Sequence, residues 1–154
     1  MSNFLATVKQ HLDPTNRFDS VEANGDSLRC KAKGAAAEAW YTIDREGDAN
    51  TGGWAVSLLT PDRWLSESIE GDMLEGRDTA EELIDDELVE LGFAGKAEQV
   101  KHYRDDNKVY VFRSRIPGVS AAAAAVHAQH AATYMLAFEA AFANLGDMQA
   151  EPST

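Results

Sequence analysis

At residue 60 the hydrophobic pattern changes period. Residues 54–59 are a short, mostly apolar run with glycines just before it, which reads as a strand. Beyond it Trp64, Leu65, Ser68, Ile69 and Met73 fall along one side of a helix. The junction carries its own signals. Thr60 stands where a cap sits, Pro61 suits the first helical position, and Leu59 and Trp64 occupy the two places of a hydrophobic staple. Gly76 breaks this helix, and Thr79-Ala80-Glu81-Glu82 restarts it as a capping box. Leu83, Ile84, Leu88 and Leu91 continue the apolar stripe, and Gly92-Phe93 reads as a left-handed cap with its apolar follower. Strands that hand over to a helix pair in this way place the chain among mixed α and β folds.

The flanking segments complete the order. Phe4, Leu5, Val8 and Leu12 recur at helical spacing after Ser2 or Asn3, and Asp13-Pro14 ends the run. Residues 18–23 and 27–32 flank Asn24-Gly25, a tight-turn dipeptide, and residues 39–44 pair with 54–59 across a loop rich in Gly, Asp and Asn. Two more strands are expected near 99–104 and 108–116, the second ended by Pro117-Gly118. Ser120 then caps a long helix that runs to about Leu145, with Gly146 after it. The pattern predicts an α+β fold with a mostly antiparallel sheet of about five strands, in the order α-β-β-β(-β)-α-α-β-β-α. Residues 1–146 form one domain and 147–154 a flexible tail.

Composition excludes several classes. The 14 basic and 26 acidic residues leave a net charge of −12, the wrong sign for a surface that neutralises nucleic-acid phosphates. Cys30 is the single cysteine, so neither an intrachain disulfide nor a thiolate zinc cage is available. No apolar run approaches the ~20 residues of a membrane span, and residues 1–13 lack the layout of a signal peptide. A reducing cytoplasm is the expected location.

The charge is uneven. Residues 61–92 hold twelve carboxylates against Arg63 and Arg77, and so nearly all of the net −12. The strands after them lean basic, through Lys96, Lys101, Arg104, Lys108, Arg113 and Arg115. Such a helix pair is either a solvated face or a surface for a basic partner, including the basic strands of a second copy. The last helix is apolar nearly all round. Val126, His127, His130, Tyr134, Phe138, Phe142 and Leu145 share one face, with alanines on the other. The aromatic face is expected on the sheet, and the alanine face against the helix pair or a second subunit.

Chemical motifs are sparse. His127 and His130 have a spacing that can present two imidazoles to a metal, but no third ligand shares their face, and a buried hydrogen-bonded pair is expected. The stretch from Asp44 to Asn50 departs from a calcium loop, with Ala49 where glycine is required and Ala55 where glutamate is. Phosphate-cradling and nucleophile-elbow motifs are absent. Alternation turns Arg29 and Lys31 away from Cys30, which favours an inert thiol. No nucleophile, base and orienter can be assembled from the sequence, so no catalytic residue, metal or cofactor is expected. Trp54 and Trp64 bracket the strand-to-helix junction; core packing is the usual role of such residues, and the alternative is a partly open apolar groove for a peptide or small molecule.

The junction from Thr60 to Arg63 through Trp64-Leu65, and Val109-Tyr110-Val111-Phe112-Arg113 leading past Pro117 into the closing helix, resemble the type III secretion chaperone-like fold, in particular YbjN-type bacterial proteins. The resemblance covers residues 3–145 as topology, and the acidic helix pair is long for it. It implies a non-enzymatic protein that dimerises and binds segments of another protein. The expected function is thus a cytoplasmic, homodimeric protein-binding module: a chaperone, adaptor or regulatory domain. Trp54, Trp64, Glu81, Glu82, Asp85 and Asp86 are the candidate partner-binding residues, for a protein or peptide, basic if it meets the carboxylates. The alternative is a small-molecule sensor with an apolar pocket near Trp54 and Trp64.

Overall fold

A computed structural model describes residues 3–25, 27–46, 53–76, 79–93, 96–120, 124–146 and 148. Helix α1 (Asn3–Leu12) passes through a 3-10 turn containing Pro14 into β1 (Phe18–Asn24), β2 (Ser27–Ala32), β3 (Trp40–Glu46) and β4 (Gly53–Thr60). Helices α2 (Arg63–Glu75) and α3 (Ala80–Glu90) follow, then β5 (Val100–Arg104), β6 (Tyr110–Ser120) and α4 (Ala124–Ala143). The fold is α+β. Among the described residues the sheet has six strands in the order β1-β2-β3-β4-β6-β5, all neighbours antiparallel. The expected element order holds, with six strands in place of about five. A tight turn forms at Asn24-Gly25 one residue later than expected: Asn24 ends β1 paired with Ser27, and Gly25 takes φ +62°.

Alternation sends successive side chains to opposite faces. Val21, Cys30, Tyr41, Leu58, Phe112 and His102 are register neighbours in one row, and Ala23, Leu28, Ile43, Val56, Ser114 and Val100 in the next but one. These rows face the helices and make the core. Helix α4 crosses β3, β4 and β6, flanked by α1 and α3, and α1 also reaches β1 and β2. Phe4 stacks on Trp54 at 4.6 Å, and Phe112 meets Phe142 at 5.4 Å. The aromatic side of α4 therefore lies on the sheet, as its pattern predicts. Of its alanine face, Ala128 and Ala132 are buried where α1 and α3 close around it, and Ala140 and Ala143 are half-buried.

Several boundaries differ from the sequence reading. The cap of α2 is Asp62, whose Oδ1 accepts from the Leu65 amide at 2.8 Å. Thr60 stays in β4, its hydroxyl donating to the Glu38 carbonyl and accepting from the Asp62 amide, so it is not free to cap. The Leu59–Trp64 staple is not made, because Trp64 is 80% exposed. β6 runs through Pro117-Gly118, where the register shifts, to Ser120, which pairs with Gly53 and so extends a strand instead of capping α4. Met148 is buried and its carbonyl accepts from the Ala36 amide at 2.9 Å. The Ser2 cap and the calcium-like loop fall outside the described residues. Thr79 caps α3 by accepting from the Glu82 amide, but the Glu82 carboxylate takes the Thr79 hydroxyl and not its backbone amide, so the box is only half made. The Gly92-Phe93 cap forms.

Candidate functional site

The other face of the sheet carries no helix among the described residues. Ser20, Lys31, Trp40, Leu59, Val111 and Tyr103 form one row across it. Glu22, Arg29, Thr42, Ser57, Arg113 and Lys101 form the adjacent row on that face. The first row is apolar over β3, β4 and β6 and ends on Tyr103, 44% exposed on the edge strand. Arg29 lies over the Trp40 ring at 4.8 Å, a cation–π contact that leaves the charge in water. Arg113 reaches from β6 to Asp44 of β3 at 2.6 Å, bonding Ser57 Oγ at 3.1 Å on the way. Its guanidinium bonds Ser57, Asp44 and the Arg45 carbonyl, which explains a buried Ser57 on a face without a helix.

The electrostatics of this face oppose those of the chain. Arg29, Lys31, Lys101, Arg113 and Arg115 stand on it against Glu22 and Asp44, while the whole chain carries −12. Lys31, Lys101 and Arg115 make no ion pair among the described residues. An apolar row edged by unneutralised cations can bury side chains and attract carboxylates at once.

The six residues picked out by sequence part company. Trp54 is a correction. It is 2% exposed, beneath Phe4 and with the Arg45 guanidinium 5.0 Å from its ring, so it belongs to the core and no groove joins it to Trp64. Trp64 stands in solvent on the first turn of α2. Glu81 and Asp85 are tied down: Glu81 Oε2 accepts from the Val100 amide at 2.8 Å and Asp85 Oδ1 from the Ala97 amide at 2.6 Å. These two carboxylates fasten α3 to the entry of β5. Glu82 and Asp86 point the other way, exposed, with Val89 and Glu90 on the same outward stripe. Half of the acidic quartet is therefore structural.

Sequence reasoning missed a hydroxyl–imidazole–carboxylate set. His102 stacks on Phe112 at 4.0 Å, its Nε2 lies 3.1 Å from Ser66 Oγ, and its Nδ1 lies 3.3 Å from Glu70 Oε2. With Nδ1–H donated to Glu70, Nε2 is left to accept from Ser66. Burial holds the imidazole below its ordinary value, against the pull of Glu70. The three border an open cleft of about 730 Å³ that also meets Arg63, Arg104, Lys108 and Tyr110. Ser66 is only 2% exposed, so the set works as a clamp between α2 and β5. The signal was present in the four-residue spacing of Ser66 and Glu70, but only the tertiary fold brings His102 to them.

The remaining chemical groups are packed. His130 Nε2 lies 2.9 Å from the Pro117 carbonyl, and its ring stacks on Phe93 at 4.0 Å. Burial, reinforced by Asp13, pushes the Cys30 thiol up to about 12. Among the described residues no three His, Cys, Asp or Glu converge to hold a metal ion, and no helix is long and apolar enough to cross a membrane. Comparison with known proteins finds no match to this chain among family models, curated proteins or solved structures.

Proposed function

We propose that the protein is a non-catalytic, cytoplasmic protein-binding module that works through the uncovered face of its sheet. One observation carries this reading: the row Trp40–Leu59–Val111–Tyr103 has no helix over it among the described residues, runs from half-buried Trp40 and Leu59 over buried Val111 to exposed Tyr103, and is edged by Lys31, Lys101 and Arg115 on a chain that is acidic elsewhere. Protein interfaces combine an aromatic and apolar centre with a charged rim, and this face has that layout. Its cations suit an acidic partner, whereas the carboxylates of α3 suit a basic one. The likeness to chaperone-like proteins read from the sequence points to the same class of role. A small-ligand sensor loses its basis here, since Trp54 is in the core and Trp64 in solvent.

Site-specific photo-cross-linking in cells tests the proposal. A benzophenone side chain at Tyr103 is expected to capture a discrete protein product, and one at the exposed Gln10 of α1 is not. If Tyr103 yields no more product than Gln10, the sheet face is not a binding surface.

A further inference from the structure

Two surfaces of this molecule are costly as they stand. On α3, Glu82, Asp86 and Glu90 follow one another at four-residue spacing along the outward stripe, with Val89, 78% exposed, among them. Like charges so placed repel and lower helix stability, and an exposed Val gains nothing from water. On the other face of the sheet, among the described residues, Lys31, Lys101 and Arg115 lack ion-pair partners and no helix lies over the Trp40–Tyr103 row. We infer that the open sheet face of one copy takes the outward stripe of α3 from a second copy. The carboxylates then meet Lys31, Lys101 and Arg115, and Val89 rests on the apolar row.

This inference rests on the sheet face being the binding surface and names its occupant. Charge decides the geometry. Two sheet faces set against each other would oppose cations to cations, and two α3 stripes carboxylates to carboxylates, so a twofold contact through either surface is disfavoured. Sheet against α3 is complementary, and it is a heterologous contact that leaves one surface free at each end. The contact is electrostatic and exposed, so salt screens it.

The test uses purified full-length chain and light scattering after size exclusion. The wild-type mass is expected to rise above 16.8 kDa with concentration. It is expected to fall back as NaCl goes from about 50 mM to about 0.5 M, where the screening length drops from over 10 Å to about 4 Å. The pair Asp86→Lys with Glu90→Lys spoils the α3 side, and its cations suit the C-terminal end of a helix, so the fold is kept. The pair Lys31→Glu with Lys101→Glu spoils the sheet side. Each double variant alone is expected to stay monomeric. Mixed together they are expected to associate again, to twice 16.8 kDa or more, because each supplies the surface the other lacks and the two reversed surfaces are themselves of opposite charge. A wild type that stays monomeric at low salt, or variants that fail to complement, overturns the self-contact. Cross-links from Tyr103 to a different protein alongside a monomeric purified chain overturn it too, while leaving the binding face intact.

Discussion

Two buried tyrosines have opposite surroundings. The Tyr134 hydroxyl lies 2.7 Å from Ser114 Oγ and accepts from the Glu98 amide at 3.1 Å, while Ser114 Oγ donates to the Glu98 carbonyl at 3.0 Å. The Tyr41 hydroxyl, equally buried, has no hydrogen-bond partner among the described residues. A buried hydroxyl without a partner costs desolvation and returns nothing, whereas removing a partnered one strands its neighbours. Tyr41→Phe is therefore expected to hold or raise stability by up to about 1 kcal/mol, and Tyr134→Phe to lose about 1–2 kcal/mol, measured by urea unfolding. A Tyr41→Phe loss as large as that of Tyr134→Phe contradicts this account. Residue type alone foretold neither case. The same holds for the three tryptophans: Trp40 lies on the open face, Trp54 in the core and Trp64 in water, and only the tertiary arrangement separates them.

At the level of elements, the end of α4 is locked to α2. Gly146 has φ +53°, and a Cβ there would stand 2.5 Å from the Ile69 amide nitrogen. Its own amide donates to Asp72 Oδ2 at 2.6 Å. Gly146→Ala faces both a left-handed backbone and a collision with main chain that cannot move aside, so a loss of about 1–3 kcal/mol is expected. An alanine variant that unfolds at the wild-type urea concentration would show that the two helices are not docked there. Element positions were largely legible in the sequence, since one-sided burial writes its period into the chain and turns announce themselves through residues such as Asn24-Gly25 and Gly92-Phe93. Ends were less so. Nothing local shows that Thr60 is already engaged by Glu38, or that β6 continues past Pro117 by a shift of register. The open face was hidden for a related reason: its alternating residues are visible, but which side the helices cover is not.

For the whole molecule, two partly shielded ionisable groups, His102 and Glu139, give stability opposing pH slopes. Burial holds His102 below its ordinary 6.5, with Glu70 pulling the other way. The unfolded chain therefore takes up a proton that the native state resists, and stability is lost as pH falls through that value. For Glu139, burial raises the carboxyl above 4.5, opposed by its ion pair with Arg17. The native state then binds the proton more readily, so lowering pH through the raised value relieves a cost present at neutrality. His102→Gln removes the first contribution alone. Between about pH 7.5 and 5.5 the wild type is expected to lose more stability than this variant, as read from urea midpoints at each pH. Parallel profiles would mean that the His102 clamp does not favour the neutral ring.

The place of β4 has a further consequence, for synthesis on the ribosome. Its neighbours are β3, made just before it, and β6, which begins only at Tyr110. At about 5–20 residues per second, translation of the intervening helix pair and β5 takes several seconds. Throughout that interval the nascent β4 has a naked edge of main-chain donors and acceptors beside an apolar strand. Holdase chaperones, and stray pairing with neighbouring nascent chains, therefore have their opening there.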